Sequence, residues 1–455
     1  MDATTQRLAD YALATGFDRL SPDAAHQFKR RLIDTLASAM SGYGDPVCKM
    51  ARGFAQKRSG APTAAIWGSH ARASAEMAAF ANGVMLRFMD ISDTYVGKSR
   101  GHPSDVMPGI IAVGEEIHAD GASVINAITL AYDIYCSFID AIEINRKGWD
   151  QPVYGVIATA LGVGRLLGLT REQMLNAISL ALAPNMALAQ SRNGALSNWK
   201  GCAGANAARN GVFAALLARE GFTGPTAVFE GTGGLWDAVG KFDWPLPAAR
   251  GPRMVEKTHI KSLPVCFHGQ SAVLAALELK PRLRVGAIRE VNVDTYDTAV
   301  LMMANDASRW APDTHETADH SMPYVIAIAL LDGAVTAASF DQHRLSDPAV
   351  IALMRKVKVH AAPDMCALYP EAVPGRVRVQ MESGEVHTHE VRYPTGHVNN
   401  ALTDAQLEEK FRRIFGEQGR ASQCDALLKS LWAFEQTKDI GSAFSLLNPG
   451  DPGSE

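Results

Sequence analysis

The sequence predicts a mainly α protein: a large all-helical domain formed by both chain ends, residues 1–265 and 398–455, with a smaller α+β domain, 266–397, inserted between them. Three observations carry this expectation. From residue 4 to about 265, apolar residues recur at helical spacing, punctuated by capping residues, prolines and glycines. Near residue 258 the texture changes, and the hydrophobic period then drops to two in several short runs. After His397 the helical period returns, so the last helices rejoin the first domain. At 455 residues the chain is too long for one simple core, which agrees with two domains.

Taken in order, Ser21-Pro22-Asp23 supplies a cap and a proline at the first helical position, and Phe28, Leu32, Leu36 and Met40 follow at spacing four. Helices are expected over 74–89, 103–118 and 122–142, the last with Val124, Ile128, Ala131, Ile134 and Tyr135 on one face. Helices over 153–167 and 171–182 come next, the second opened by a Thr170/Gln173 capping box. A helix over 203–220 stops at Gly221. So much alanine and glycine implies helices that cross with little side chain between them.

In the second region, 271–279, 320–331 and 347–356 read as helices, and 291–296 and 357–360 as strands. The runs 377–381 and 386–391 form a hairpin across Glu382-Ser383-Gly384-Glu385, with His387 and His389 on its exposed face. Helices over 404–415 and 421–436 close the chain.

Composition narrows the function. A formal charge of −4 with no basic stripe argues against a nucleic-acid partner. Asp2, Arg7 and Asp10 interrupt any apolar leader, and runs such as 180–188 are short or broken by Pro184, so a cytoplasmic protein without a membrane partner is expected. Six scattered cysteines with no C-x-x-C pair give little support to disulfides, a zinc site or a cysteine-ligated iron–sulfur cluster. There is no Walker A sequence, Gly162-Val163-Gly164 lies inside a helix, and the His315/His320 and His387/His389 pairs form no metal set.

The chemistry concentrates in loops. The stretch 87–105 interrupts Ala-rich helix with acids, hydroxyls, two cations and one histidine; Gly97 and Gly101 break the helix before His102, and Pro103 starts the next. Asp90 or Asp93 can take a proton, His102 can give or take one near neutrality, and Lys98 or Arg100 can neutralise a carboxylate. Other loops add Asp150, Arg192, Lys200, Lys261 and His268, and Thr94 joins them from the first. A cation such as Lys200 near a helix start works against the helix dipole, a cost an anionic ligand would offset. Cations gathered at loop ends in a net-negative protein fit a di- or tricarboxylate. The sequence leaves open whether His259, His268 and His320 face that ligand or pack.

These segments together resemble the MmgE/PrpD family, which includes 2-methylcitrate dehydratases, cis-aconitate decarboxylases and iminodisuccinate epimerases. The resemblance rests on Asn82-Gly83 through Asp90-Ile-Ser-Asp-Thr94, Gly101-His-Pro-Ser-Asp105, and the run from Trp199-Lys-Gly to Arg209-Asn-Gly211. Gly221-Phe-Thr-Gly-Pro225 with Glu230-Gly231, the run Ala318 to Tyr324, and Tyr393-Pro-Thr-Gly-His397 complete it, in the family's order. It implies an inserted lid, a homodimer, and a site between the domains that uses no cofactor. By position, Asp90, Thr94, His102 and Lys200 match catalytic positions and the Lys261 region a binding one. In that scheme Asp90 and His102 handle protons while Lys200 and Lys261 hold carboxylates.

The Thr94-to-His102 spacing and Pro264-x-x-Phe-His268-x-Gln270 are similar to the 2-methylcitrate dehydratase branch. Two departures are Cys266, where that branch usually has an acid, and the cationic loop Val96-Gly-Lys-Ser-Arg100. The expectation is therefore a cofactor-independent hydro-lyase acting on a citrate-like tricarboxylate. Its alternatives are a cis-aconitate decarboxylase, an epimerase of a small dicarboxylate, or an inactive helical scaffold of the same fold.

Overall fold

The structure, a computed structural model, describes residues 1–248 and 253–448. Leaving shorter turns aside, nine helices precede residue 248: α1 (Ala3–Ala14), α2 (Pro22–Ser41), α3 (Pro46–Arg58), α4 (Ala75–Phe88), α5 (Met107–Glu116), α6 (Gly121–Ala141), α7 (Pro152–Leu166), α8 (Arg171–Leu182) and α9 (Trp199–Arg219). The local signals act as the sequence requires. Ser21 accepts the N–H of Ala24 with Pro22 in the first turn of α2, and Thr170 and Gln173 close a capping box on α8. The expected helix over 103–118 is divided, a 3₁₀ turn at Pro103–Val106 running into α5.

Helix α9 lies centrally, against α4, α7 and α8, while α6 packs on α7 and α2 on α4. Glycine permits a close crossing. A Cβ on Gly211 of α9 would lie 2.6 Å from Thr159 Cβ and 2.8 Å from the Val156 carbonyl of α7, so backbones meet directly. By length and composition α6 is apolar enough to span a membrane, but it is almost wholly buried among its neighbours, as a core helix is.

Beyond residue 253 the described helices continue as α10 (Gln270–Leu279), α11 (Asp297–Met303), α12 (Met322–Asp332), α13 (Pro348–Met354), α14 (Asp404–Glu417) and α15 (Cys424–Trp432). Four strands accompany them: β1 (Ile288–Thr295), β2 (Val357–Ala361), β3 (Gly375–Met381) and β4 (Val386–Val391). They form one sheet in the order β2-β1-β3-β4, with β1 and β2 parallel and the other pairs antiparallel. Helix α10 packs on β3 and β4, α12 packs on α10, and α14 returns to lie on α2. One hydrophobic cluster runs from Leu8 to Leu447 through both regions.

The hairpin corrects one expectation. His387 and His389 stand opposite the fully buried Val379 and Val377, on the face packed by α10, and are half-buried. The exposed residues of β4 are Val386, Thr388 and Glu390. The alternation itself holds, but on an edge strand it does not say which face is covered.

Gly211→Val should test the close crossing. Forcing side-chain carbon between α9 and α7 is expected to cost about 1–3 kcal/mol or more, read from the shift in urea midpoint, while an unchanged midpoint would mean that the helices can separate freely.

Candidate active site

The loop after α4 is fixed first by backbone. Thr94 N–H donates to the His259 carbonyl at 2.9 Å and receives the return bond at 2.8 Å, zipping residue 94 to the segment that carries Lys261. Asp90 has a φ of 46°, a left-handed conformation rare for a non-glycine residue and held only where surroundings demand it. Lys261 Nζ supplies that demand: it donates to the Asp90 carbonyl at 2.8 Å and pairs with Asp90 Oδ2 at 3.0 Å. Arg87 holds Oδ1 at 3.1 Å and also reaches Ser92 and Asp105. From α14, Lys410 donates to the Lys261 carbonyl at 2.7 Å and pairs with Asp34 of α2, fixing the strap from behind.

Tyr95–Val96 and Arg100–Gly101 then form a small antiparallel ladder that delivers His102. Gly101 is required because a Cβ there would meet Tyr135 Oη at 2.7 Å. Tyr135 Oη in turn accepts the His102 backbone N–H at 3.2 Å. The His102 ring places Nδ1 2.8 Å from the Asp93 carbonyl. A carbonyl only accepts, so Nδ1 carries the hydrogen and Nε2 keeps the lone pair. Asp93 itself is spent locally, accepting from Ser104 N–H and Tyr132 Oη.

These loops wall a cavity of about 410 Å³. Six cations line it (Lys98, Arg100, Arg146, Arg192, Lys261 and Arg309) against four carboxylates, Asp90, Glu143, Asp150 and Asp306. A net-negative chain has thus gathered a cationic chamber. Residues on both sides of position 253 contribute to it.

The sequence pattern described as the MmgE/PrpD N-terminal domain matches residues 6–245, and that of the MmgE/PrpD C-terminal domain matches 263–433. The chain belongs to the MmgE/PrpD family. Among its relatives, the 2-methylcitrate dehydratase of Salmonella typhimurium is 28% identical over 439 residues, covering 90% of this chain and 89% of that protein. The 2-methylcitrate dehydratase of Cupriavidus necator is 28% identical over 434 residues, covering 87% of each chain. The cis-aconitate decarboxylase of Homo sapiens is 26% identical over 455 residues, covering 93% and 90%.

Within this MmgE/PrpD chain, Asp90, Thr94, Lys98, Arg100, His102, Asp150, Arg192, Lys261 and His268 all line the cavity. Lys200 does not. Its ammonium is 1% exposed and paired with Asp319 Oδ2 at 2.9 Å, so the cation in the first turn of α9 finds a protein carboxylate instead of the chamber. Asp150 is held by Arg192 and Ser191, each at 2.9 Å, and His268 Nδ1 lies 2.6 Å from Tyr296 Oη. His259 stacks between Phe267 and His397 and is packing. Sequence reasoning assigned no role to Cys266, Arg309 or Asp319 and left His320 open, yet Cys266, Arg309 and His320 are on the wall. Asp319 and His320 did lie within the segment Ala318–Tyr324 that carried the resemblance, which was the only signal for them.

Electrostatics sorts the proton carriers. Burial would push the Asp90 carboxyl up, but Lys261, Lys200 and Arg87 overcome it and hold the group well below the usual carboxylate range. Asp90 is therefore a poor base. Burial first, then Arg87 and Lys261, push the His102 imidazole well below its ordinary value, so it stays neutral. Asp90, Asp319 and His320 converge within 4.8 Å, a spacing that could hold a metal ion. Each carboxylate already faces Lys, Arg or His, however, so the donor set is spent and fits a charge network better than a cation.

Lys261→Ala leaves Asp90 buried with its main counterion gone, and unfolding free energy should fall by about 3–5 kcal/mol, measured by urea titration. The acid dependence has a definite sign. The Asp90 carboxyl sits lower in the folded than in the unfolded chain, where about 3.9 applies, so its contribution is complete above that value and is lost as pH falls towards the folded one. The stability difference between wild type and Asp90→Asn should narrow on acidification below about pH 4; a difference that widens would contradict this arrangement.

Proposed function

We propose that the chain is a cofactor-independent lyase that dehydrates a citrate-like tricarboxylate, of the 2-methylcitrate dehydratase type. The observation that carries the reading is His102: a neutral imidazole, tautomer fixed by a backbone carbonyl, lining a chamber where cations outnumber carboxylates. About 410 Å³ lies in the usual range for a small-molecule site. In the proposed reaction His102 Nε2 removes the proton beside a carboxylate, and Lys261 stabilises the enediolate-like charge that develops. The leaving hydroxyl departs with a second proton as water. Asp90 serves by holding Lys261 in place and not as the base.

The extra cations Lys98 and Arg100 favour a substrate with a third carboxylate. Lys98 Nζ touches only the Ala141 carbonyl at 3.3 Å, and the Arg100 guanidinium only the sulfur of Met302, among the described residues. The stretch 266–397 acts as a lid in this reading, since it supplies Phe267, His268, Arg309 and His320 to the wall. A homodimer is part of the same reading, supported by the exposed Trp199 and Phe213 along α9 and Phe222 just after it.

Chelator-treated protein mixed with 2-methylcitrate, citrate and cis-aconitate should raise the ultraviolet absorbance of a conjugated double bond with 2-methylcitrate or citrate. His102→Ala should lower the rate by about 10²–10⁴-fold. A loss of cis-aconitate absorbance with carbon dioxide release would assign the decarboxylase reaction instead, and silence on every substrate would overturn the proposal.

A further inference from the structure

Cys266 and His320 both sit on the cavity wall. Two contacts build the pair. The Cys266 backbone N–H donates to the Asp319 carbonyl at 3.0 Å, pinning the thiol-bearing residue to the segment that carries the imidazole. His320 Nδ1 bonds Asp319 Oδ1, and the other oxygen of that carboxylate is taken by Lys200 at 2.9 Å. A carboxylate accepts, so Nδ1 carries the hydrogen and Nε2 is the nitrogen left to serve the thiol. All three side chains are buried. A cysteine and a histidine oriented by an aspartate thus share one wall of the chamber.

A separate observation points to a ligand at the same place. Arg309 is 4% exposed, lines the cavity, and its Nη1 has no hydrogen-bond partner among the described residues. A guanidinium buried with an open donor is set for a carboxylate. Lys200, which the sequence suggested as a substrate clamp, instead neutralises Asp319 and so belongs to the support of this group.

We propose that Cys266, backed by His320 and Asp319, is the proton donor to the leaving hydroxyl, with Arg309 seating a substrate carboxylate beside it. The assignment rests on the dehydratase reading above. In the step, the C–H bond breaks and its proton goes to His102 Nε2 while the carbon–carbon double bond forms. The C–O bond breaks, and the departing oxygen takes the Sγ proton and leaves as water. His320 then gives its Nε2 proton to the thiolate and regains one from bulk water, to which His102 releases the proton it took. No outside oxidant or reductant enters. The environment suits this exchange: burial pushes the thiol up, and the His320 imidazole and Lys261 pull it below its ordinary value. Burial and Lys200 lower His320, yet Cys266 and Asp319 raise it above its usual value, so it can hold the second proton.

The test compares wild type, Cys266→Ala and Cys266→Asp on the tricarboxylate that wild type dehydrates, with thermal melting to confirm folding. Cys266→Ala should lower kcat by about 10²–10³-fold with KM moved by less than about threefold, and Cys266→Asp, which restores a proton donor, should recover at least about tenfold of that loss. In a Cys202→Ala/Cys366→Ala background, iodoacetamide should label Cys266, and the substrate should block it. Wild-type turnover with a folded Cys266→Ala variant within about threefold in kcat overturns this assignment alone. If Cys266→Ala does not fold, equal turnover by Cys266→Asp and Cys266→Ser overturns it, because serine is too weak an acid to replace the thiol. Wild-type silence on every tricarboxylate overturns the dehydratase reading and this assignment with it.

Discussion

The buried ion pair between Lys261 and Asp90 is the constraint on which the rest of this structure depends. It joins the end of α4 to a segment 171 residues later, and it does so twice, through the carboxylate and through the carbonyl of the same residue. Charges without solvent are costly unless each is matched, and here the matching is extensive. Arg87 takes the other carboxylate oxygen, and Lys410 and Asp34 tie the Lys261 backbone to α14 and α2. The left-handed Asp90 backbone is held within that network, through the bond from Lys261 to its carbonyl.

The same network sets the acid–base chemistry. Concentrated positive charge depresses Asp90, and burial together with that charge keeps His102 neutral, so a carboxylate and an imidazole that look interchangeable in sequence are set in opposite ways. One is a fixed counterion, the other a neutral imidazole with a single free nitrogen. At His320, on the same wall, Cys266 and Asp319 do the reverse and favour the charged form. Two histidines in one chamber are thus biased in opposite directions, the arrangement the proposed elimination needs when one proton is taken and another given.

Most of the helical body was legible because local signals and packing agree there: the Ser21 and Thr170 caps, the spacing-four stripe of α2, and the small residues of α9 all describe what their neighbours require. The loop 87–105 was legible as a site because acids, cations and a histidine crowded between two buried helices must be matched to one another or to a ligand. What could not be read was pairing at long sequence separation. Lys200 and Asp319 are 119 residues apart, and nothing local says that the lysine turns inward to meet the aspartate. Cys266 stood out only as a departure within Pro264-x-x-Phe-His268, and Arg309 carried no signal, so only the fold brings the two to one cavity wall. His387 and His389 failed for a simpler reason, since alternation marks two faces of a strand and tertiary packing alone selects the covered one.

The most direct test is the protonation state of His102, followed by nitrogen NMR of histidine-labelled protein with His102→Gln to assign the signal. The ring is expected to stay neutral from about pH 8 to about pH 6, with the hydrogen on Nδ1 and Nε2 bare throughout. A ring that takes up its second proton near the ordinary histidine value would contradict the depression by burial and charge, and one that carries its hydrogen on Nε2 would lack the lone pair on which the proposed elimination depends.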